Sequence, residues 1–420
     1  MQPGETWNES LDAVDSATGR PARRLTRLGL FNNTPTYHYN SAFSADSRYL
    51  VFVTARDGGS AIVRAEVETG ELTVLLATEG FGDRSRGATL EPWAPGPEGN
   101  GGFTATRTAL IPATRWVVAT TPSRVLAVHL ETREVRPLAD RFAAGFTPLA
   151  PGANASGTEV FVPLAPPHPD KDAHLDRPGR PYAQAMLEQH AGVPTQILAI
   201  DLQTGQQRVV HADPLAGCAH VLPSPTDDDL VLFDRDLPPT FAYAGDHARS
   251  PRAHLLRLST GELTPLRPKN AHQFQSHTNW NRDGSRIYYH GPAAEDAEQP
   301  IGPGTRLGQM FLGVSDLGGD SVFEMNLPRY YYGHVSTHPR AEAIITDGLV
   351  APDLVAAIHY EDLDPAGAPR IELLARHDTD WSAAPGQLSH PHCHISPDGK
   401  WLSYNTAAAG RSDVCLVRVA

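Results

Sequence analysis

Cysteine is nearly absent from this chain: its 420 residues include three, Cys218, Cys393 and Cys415. They stand far apart and make no C-x-x-C, which excludes a disulfide framework and a zinc knuckle. Long apolar runs are missing too. No window approaches the roughly 18 apolar residues of a membrane helix, and the first residues show no basic segment followed by an apolar one. The expectation is a soluble, cytoplasmic protein with no membrane partner. Positive charge is in deficit, with 35 Lys and Arg against 48 Asp and Glu and a net charge of −13. Affinity for nucleic acid comes largely from counterions displaced by a basic face, so no nucleic-acid partner is expected. A small anion is not excluded by this balance, because a local basic pocket can hold one on an acidic protein.

The familiar catalytic signatures are also lacking. There is no G-x-S-x-G, hence no nucleophile elbow. No G-x-x-x-x-G-K-[ST] or paired G-x-G-x-x-G provides a nucleotide loop, and no H-E-x-x-H marks a zinc protease.

Turn formers, by contrast, are plentiful: 36 glycines and 37 prolines. They favour many short elements joined by turns over long helices. One phrase recurs, a turn of the Pro-Asp-Gly type followed by an alternating apolar strand. Its copies are "FSADSRYLVFVT" from Phe43, "ALIPATRWVVAT" from Ala109, "LAPGANASGTEVFVPL" from Leu149, "VLPSPTDDDLVLFDR" from Val221, "TNWNRDGSRIYYHG" from Thr278, "STHPRAEAIITDG" from Ser336 and "HISPDGKWLSYNT" from His394. A second phrase alternates with it as strand, tight turn, strand: "AIVRAEVETGELTVLL", "RVLAVHLETREVRPL", "QILAIDLQTGQQRVV" and "HLLRLSTGELTPL". The T-G-E and T-G-Q steps are hairpin signals. Two hairpins make a four-stranded sheet, and seven such units read as an all-β, seven-bladed β-propeller. The N-terminal "GRPARRLTRLG" reads as a lone strand and the C-terminal "DVCLVRVA" as one lacking a hairpin partner. Together they complete one blade, so that residues 1–420 form a single propeller domain. The competing architecture is a pair of β-sandwiches, which regular alternation of the two phrases disfavours. Two segments break the pattern: a Gly/Pro-rich insertion at 81–102, and a polar loop from Ala165 followed by a short helix at about 180–190.

The 19 histidines concentrate in the second half of the chain, at the starts of repeat phrases. His277, His334, His390 and His392 occupy equivalent positions on three consecutive units, which a propeller turns toward one mouth of its channel. In an extended segment His390 and His392 face one side, since the side-chain period is two. Gln387 adds a neutral oxygen three residues earlier, and His334 adds an imidazole from the preceding unit. His334, Gln387, His390 and His392 thus read as an N3O metal site with room for substrate or water. Imidazole suits zinc, nickel, cobalt, iron or manganese, so spacing leaves the metal open. His394 shares the parity but lies within the strand phrase, and reads as structural or as a support behind the ligands.

"HTNWNRDGSRIYY", "GHVSTH…TDG", "LARHDTDW" and "QLSHPHCHISPDG" occur in this order. In these motifs the chain resembles the oligogalacturonate lyase family, seven-bladed propeller enzymes of pectin degradation. The resemblance is strongest from Arg252 to the C-terminus. It implies a divalent cation, usually manganese, on His334, Gln387, His390 and His392. It also implies His277 as catalytic base and Arg252, 25 residues earlier, as the assisting cation. The implied reaction is β-elimination of short oligogalacturonides, acidic sugars such as di- and trigalacturonate, to unsaturated uronates. The chain departs from the family pattern at two places. Cys393 stands where a proline is common after H-P-H, and "HPRAE" follows His334 where an F-D-G-like turn is expected. Without the resemblance, Arg252 reads as a solvated hairpin residue and His377 as a structural hydrogen-bonding group, with Trp381 packing between blades. The competing functions are a lyase for another uronate-containing oligosaccharide and a non-catalytic, TolB-like interaction propeller.

Overall fold

The structure is a computed structural model that describes residues 1–34, 37–56, 59–79, 107–111, 113–121, 123–143, 145–166, 193–214, 217–218, 220–235, 251–266, 273, 275–295, 307–327, 329, 331, 333–381 and 390–420. The insertion at 81–102, the helix expected at about 180–190 and Gln387 lie outside the described residues. All elements among the described residues are β-strands, and they form seven antiparallel sheets. The protein is an all-β, seven-bladed β-propeller.

Six of the seven repeat phrases supply the first two strands of a sheet, and each hairpin phrase the last two; the phrase from Phe43 supplies the strand Tyr49–Arg56, whose sheet-edge neighbour Phe31–Asn33 lies upstream of the phrase. Blade 5 is representative: His277–Trp280, Ile287–Ala294, Leu307–Ser315 and Ser321–Leu327 follow one another in spatial order. Blade 4 begins at Val221–Pro223, blade 6 at Val335–Thr337 and blade 7 at His394–Ile395. Blade 7 is made from both ends of the chain, with Arg23 of the strand Pro21–Arg24 opposite Leu416 of the C-terminal strand Asp413–Arg418.

The turns show why glycine recurs at fixed places. Gly70, in the hairpin between Gly59–Glu66 and Leu72–Glu79, has φ +73° and donates its N–H to the Glu66 carbonyl at 2.8 Å. That left-handed conformation favours a residue without Cβ. Gly284, at φ +73° in the "NRDGS" turn, sits so close to blade 4 that a Cβ would fall 2.6 Å from Thr226 Oγ1.

The chain divides into two compact units: Met1–Arg141 with Leu202–Gly205 and Ser336–Ala420, and Phe142–Asp201 with Gln206–Val335. In the first unit, the strand Tyr49–Arg56 is apolar on both faces. Val51, Val53 and Ala55 pack with Leu110, Val117 and Val128 of the next sheet, while Leu50 and Phe52 pack with Trp401, Val414 and Leu416 of blade 7. Period-two alternation sends successive side chains to opposite neighbours, and each fully buried one contributes about 1.5–3 kcal/mol. This explains why the strand phrases read as nearly continuous apolar runs. In the second unit, Phe161, Ile197 and Ala199 pack with Val231, Phe233 and Leu256 in the same manner.

Candidate functional site

The first strands of blades 4, 5 and 6 each begin at or just after a histidine: His220, His277 and His334. In the second unit this brings three imidazoles into a row. The rings of His277 and His334 lie 4.9 Å apart, and those of His220 and His277 lie 5.8 Å apart. His277 and His334 are buried. The row follows from repetition: equivalent register positions on consecutive sheets project to equivalent places. Asn279 reinforces it, donating from Nδ2 to the Val335 carbonyl at 3.3 Å and so tying blade 5 to the residue after His334.

Two members of the row have a partner behind them. His277 Nδ1 lies 2.9 Å from Nε2 of His290, which stands directly opposite on the neighbouring strand. With Nδ1 so engaged, chemistry falls to Nε2. His220 Nδ1 meets the Asp234 carboxylate in a short contact. The same carboxylate, fully buried, pairs with Arg252 through Nη1 at 2.9 Å. Arg252 is 5% exposed, so it is no solvated hairpin residue. A guanidinium leaves water at a cost of several kcal/mol unless a charge compensates it, and Asp234 is that compensation. Sequence reasoning singles out none of Asp234, His290 and His220. His220 alone carries a visible signal, its place one residue before the repeat phrase at Val221.

In the first unit, the rings of His390 and His392 approach to 5.7 Å at a steep interplanar angle of 76°. The expectation that strand alternation places them together does not hold in detail. Neither residue is in a strand, and His392 has φ +45°. That region is uncommon for a residue with Cβ and persists where surrounding contacts fix it. Here every step of the segment is held. Asn405 Nδ2 donates to the His390 carbonyl at 3.2 Å, and the Asn405 amide donates to the Pro391 carbonyl at 2.8 Å. The His392 amide donates to Asp347 Oδ2 at 2.8 Å, and Ser336 Oγ donates to the Cys393 carbonyl at 2.7 Å. Ser336 belongs to the strand that His334 leads into.

Aromatic rings border the pair. Tyr37 lies 4.9 Å from His392 and Trp381 lies 5.1 Å from His390. The Trp381 indole N–H is donated to the Pro352 carbonyl at 2.7 Å. Trp381 therefore stands beside a candidate ligand, a place its sequence context does not indicate. His377, on its other side, accepts the Thr379 amide at Nδ1, as a structural histidine does. His394 Nε2 lies 3.2 Å from the Tyr37 carbonyl, and burial lowers its pKa to about 4. It is a neutral, structural group that fixes the Tyr37 turn.

No family model and no curated protein matches the sequence. Among solved structures, what this chain shares with its neighbours is the β-propeller fold. It is similar to an oligogalacturonate lyase solved in complex with manganese, with TM-score 0.76, 18% identity, and coverage of 100% of this chain and 99% of that one. It is similar to the oligogalacturonate lyase of Vibrio parahaemolyticus, with TM-score 0.75, 17% identity and coverage of 100% and 99%. A prolyl endopeptidase aligns with TM-score 0.54 and 10% identity over 96% of this chain and 53% of its own. At these identities the likeness is one of fold. No helix among the described residues is long and apolar enough to cross a membrane.

Proposed function

We propose that this protein is a metal-dependent lyase that cleaves short oligogalacturonides by β-elimination. The carrying observation is the pairing of His277 with His334, a candidate base with one nitrogen already engaged, next to a candidate metal ligand. Full-length similarity of fold to two oligogalacturonate lyases supports the substrate class. His334, His390 and His392 are assigned as the metal ligands, and Gln387 as the fourth donor, from their spacing. Three neutral imidazoles and an amide oxygen suit a first-row divalent cation. Manganese is the ion bound in one of the similar structures.

The chemistry requires a proton to leave C5 of a uronate, a carbon already next to an anionic carboxylate. When bound, the cation supplies Lewis acidity at that carboxylate. Arg252 provides a second positive charge, held in place by Asp234, and so stabilises the enolate-like charge that develops. His277 accepts the C5 proton at Nε2; an imidazole with an unperturbed pKa of about 6.5 suits this work near neutral pH. The C5–H electrons form the C4=C5 double bond and the C4–O4 bond breaks, with no water consumed.

Mass spectrometry of the products of trigalacturonate with manganese tests the reading. Elimination gives products whose masses sum to that of the substrate, one of them unsaturated. Products heavier by one water in sum, or no cleavage of any uronide, contradict it.

A further inference from the structure

An alkoxide is a poor leaving group, so the departing O4 needs a proton at the moment the C4–O4 bond breaks. The groups assigned so far do not supply one: His277 takes a proton, and Arg252 binds charge. We propose that His220 is the proton donor to the leaving oxygen; the proposal rests on the lyase reading above.

Three observations carry it. His220 precedes the first strand of blade 4 as His277 opens that of blade 5, and the two rings lie 5.8 Å apart. That separation places the two imidazoles side by side, not bonded to each other. The His220 ring is also held from behind. Its Nδ1 meets the fully buried Asp234 carboxylate, and its carbonyl accepts both the Asp234 amide at 3.2 Å and the Cys218 thiol at 3.5 Å. A carboxylate can only accept, so Nδ1 carries the proton of that contact and the donation to substrate falls to Nε2. Finally, the oxygen that holds His220 also holds Arg252. One buried carboxylate therefore aligns the proton donor and the carboxylate-binding cation together.

The step balances within the protein and substrate. His277 Nε2 gains the proton from C5. The C5–H pair becomes the C4=C5 bond, and the C4–O4 pair becomes the O–H bond with the proton from His220 Nε2. His277 ends protonated and His220 neutral, and proton exchange with water restores both. One imidazole gives a proton and one receives it, the division of labour seen where two titratable groups work at one site.

Leaving-group dependence tests the proposal. Two substrates are compared: trigalacturonate, whose leaving sugar oxygen needs a proton, and a galacturonide with a 4-O-nitrophenyl group, whose phenolate does not. In His220→Gln that melts as the wild type does and binds manganese equally, turnover of trigalacturonate should fall by about 100-fold or more. Turnover of the nitrophenyl substrate should fall by less than about fivefold. Equal loss on both substrates, or no loss on either, overturns the assignment. A second measurement needs no variant: wild-type rates across aryl leaving groups of differing acidity should vary only weakly, and a steep dependence overturns it. Absence of elimination by the wild type on either substrate would instead reject the lyase reading itself.

Discussion

His277 and His290 face each other across two neighbouring strands of blade 5, with Nδ1 of the first 2.9 Å from Nε2 of the second. The contact fixes the orientation of the candidate base without touching substrate. His290→Ala should therefore lower kcat by roughly tenfold or more with little change in KM, because a base must be held within hydrogen-bond reach of the proton it removes. Steady-state kinetics on digalacturonate checks this. A rise in KM at constant kcat would give His290 a role in substrate binding instead.

Two groups depend on Asp234. Removing its carboxylate in Asp234→Ala leaves the buried Arg252 guanidinium without that counter-charge and the His220 ring without its support. Breaking one side of a buried pair costs about 3–5 kcal/mol. Urea unfolding should show a loss of that order, alongside loss of activity; unchanged stability would mean that Arg252 is compensated elsewhere.

Asp347 holds the His392 amide at 2.8 Å in a backbone conformation that needs support. Partners behind a metal ligand commonly contribute about 10–100-fold in metal affinity. Asp347→Ala should weaken manganese binding by that factor in direct titration. Affinity equal to that of the wild type would show that Asn405 and Ser336 suffice to hold the segment.

Burial lowers the pKa of His254 and of His377 to about 4, from 6.5. Both are neutral in the folded protein over a range where the unfolded chain protonates them. As pH falls from about 6.5 to about 4, the unfolded state binds more protons and stability falls, by up to about 3 kcal/mol for each histidine. Urea unfolding of His377→Gln between pH 7 and pH 5 should show a shallower decline than the wild type. An identical slope would contradict the burial effect at His377.

The seven repeat phrases correspond to the seven sheets because an apolar period of two, broken by turn residues, is a local property of the chain. The row His220, His277 and His334 is partly legible for the same reason: it follows the repeat register. The supports are not. Asp234 ends the second strand of blade 4, His290 lies in the second strand of blade 5, and Asp347 ends the second strand of blade 6. Each is an ordinary residue in an apolar phrase until the fold brings it to its partner, by strand register for His290 and Asp234 and by a contact from another segment for Asp347. Residue type alone misplaces Arg252, because a Ser-Pro-Arg turn is normally solvated and its buried carboxylate is 18 residues upstream. The geometry at His392 is hidden because local parity assumes an extended backbone, whereas long-range contacts from Asp347, Asn405 and Ser336 fix a left-handed one.

The most direct test of the central claim is the ultraviolet absorbance of a C4=C5 unsaturated uronide during incubation with digalacturonate. Protein stripped with chelator and reloaded with manganese should generate the chromophore. The stripped protein should not, and metal-loaded His277→Ala should not while still binding its metal. No chromophore from the reloaded wild type on any uronide, or undiminished formation by His277→Ala, would contradict the account.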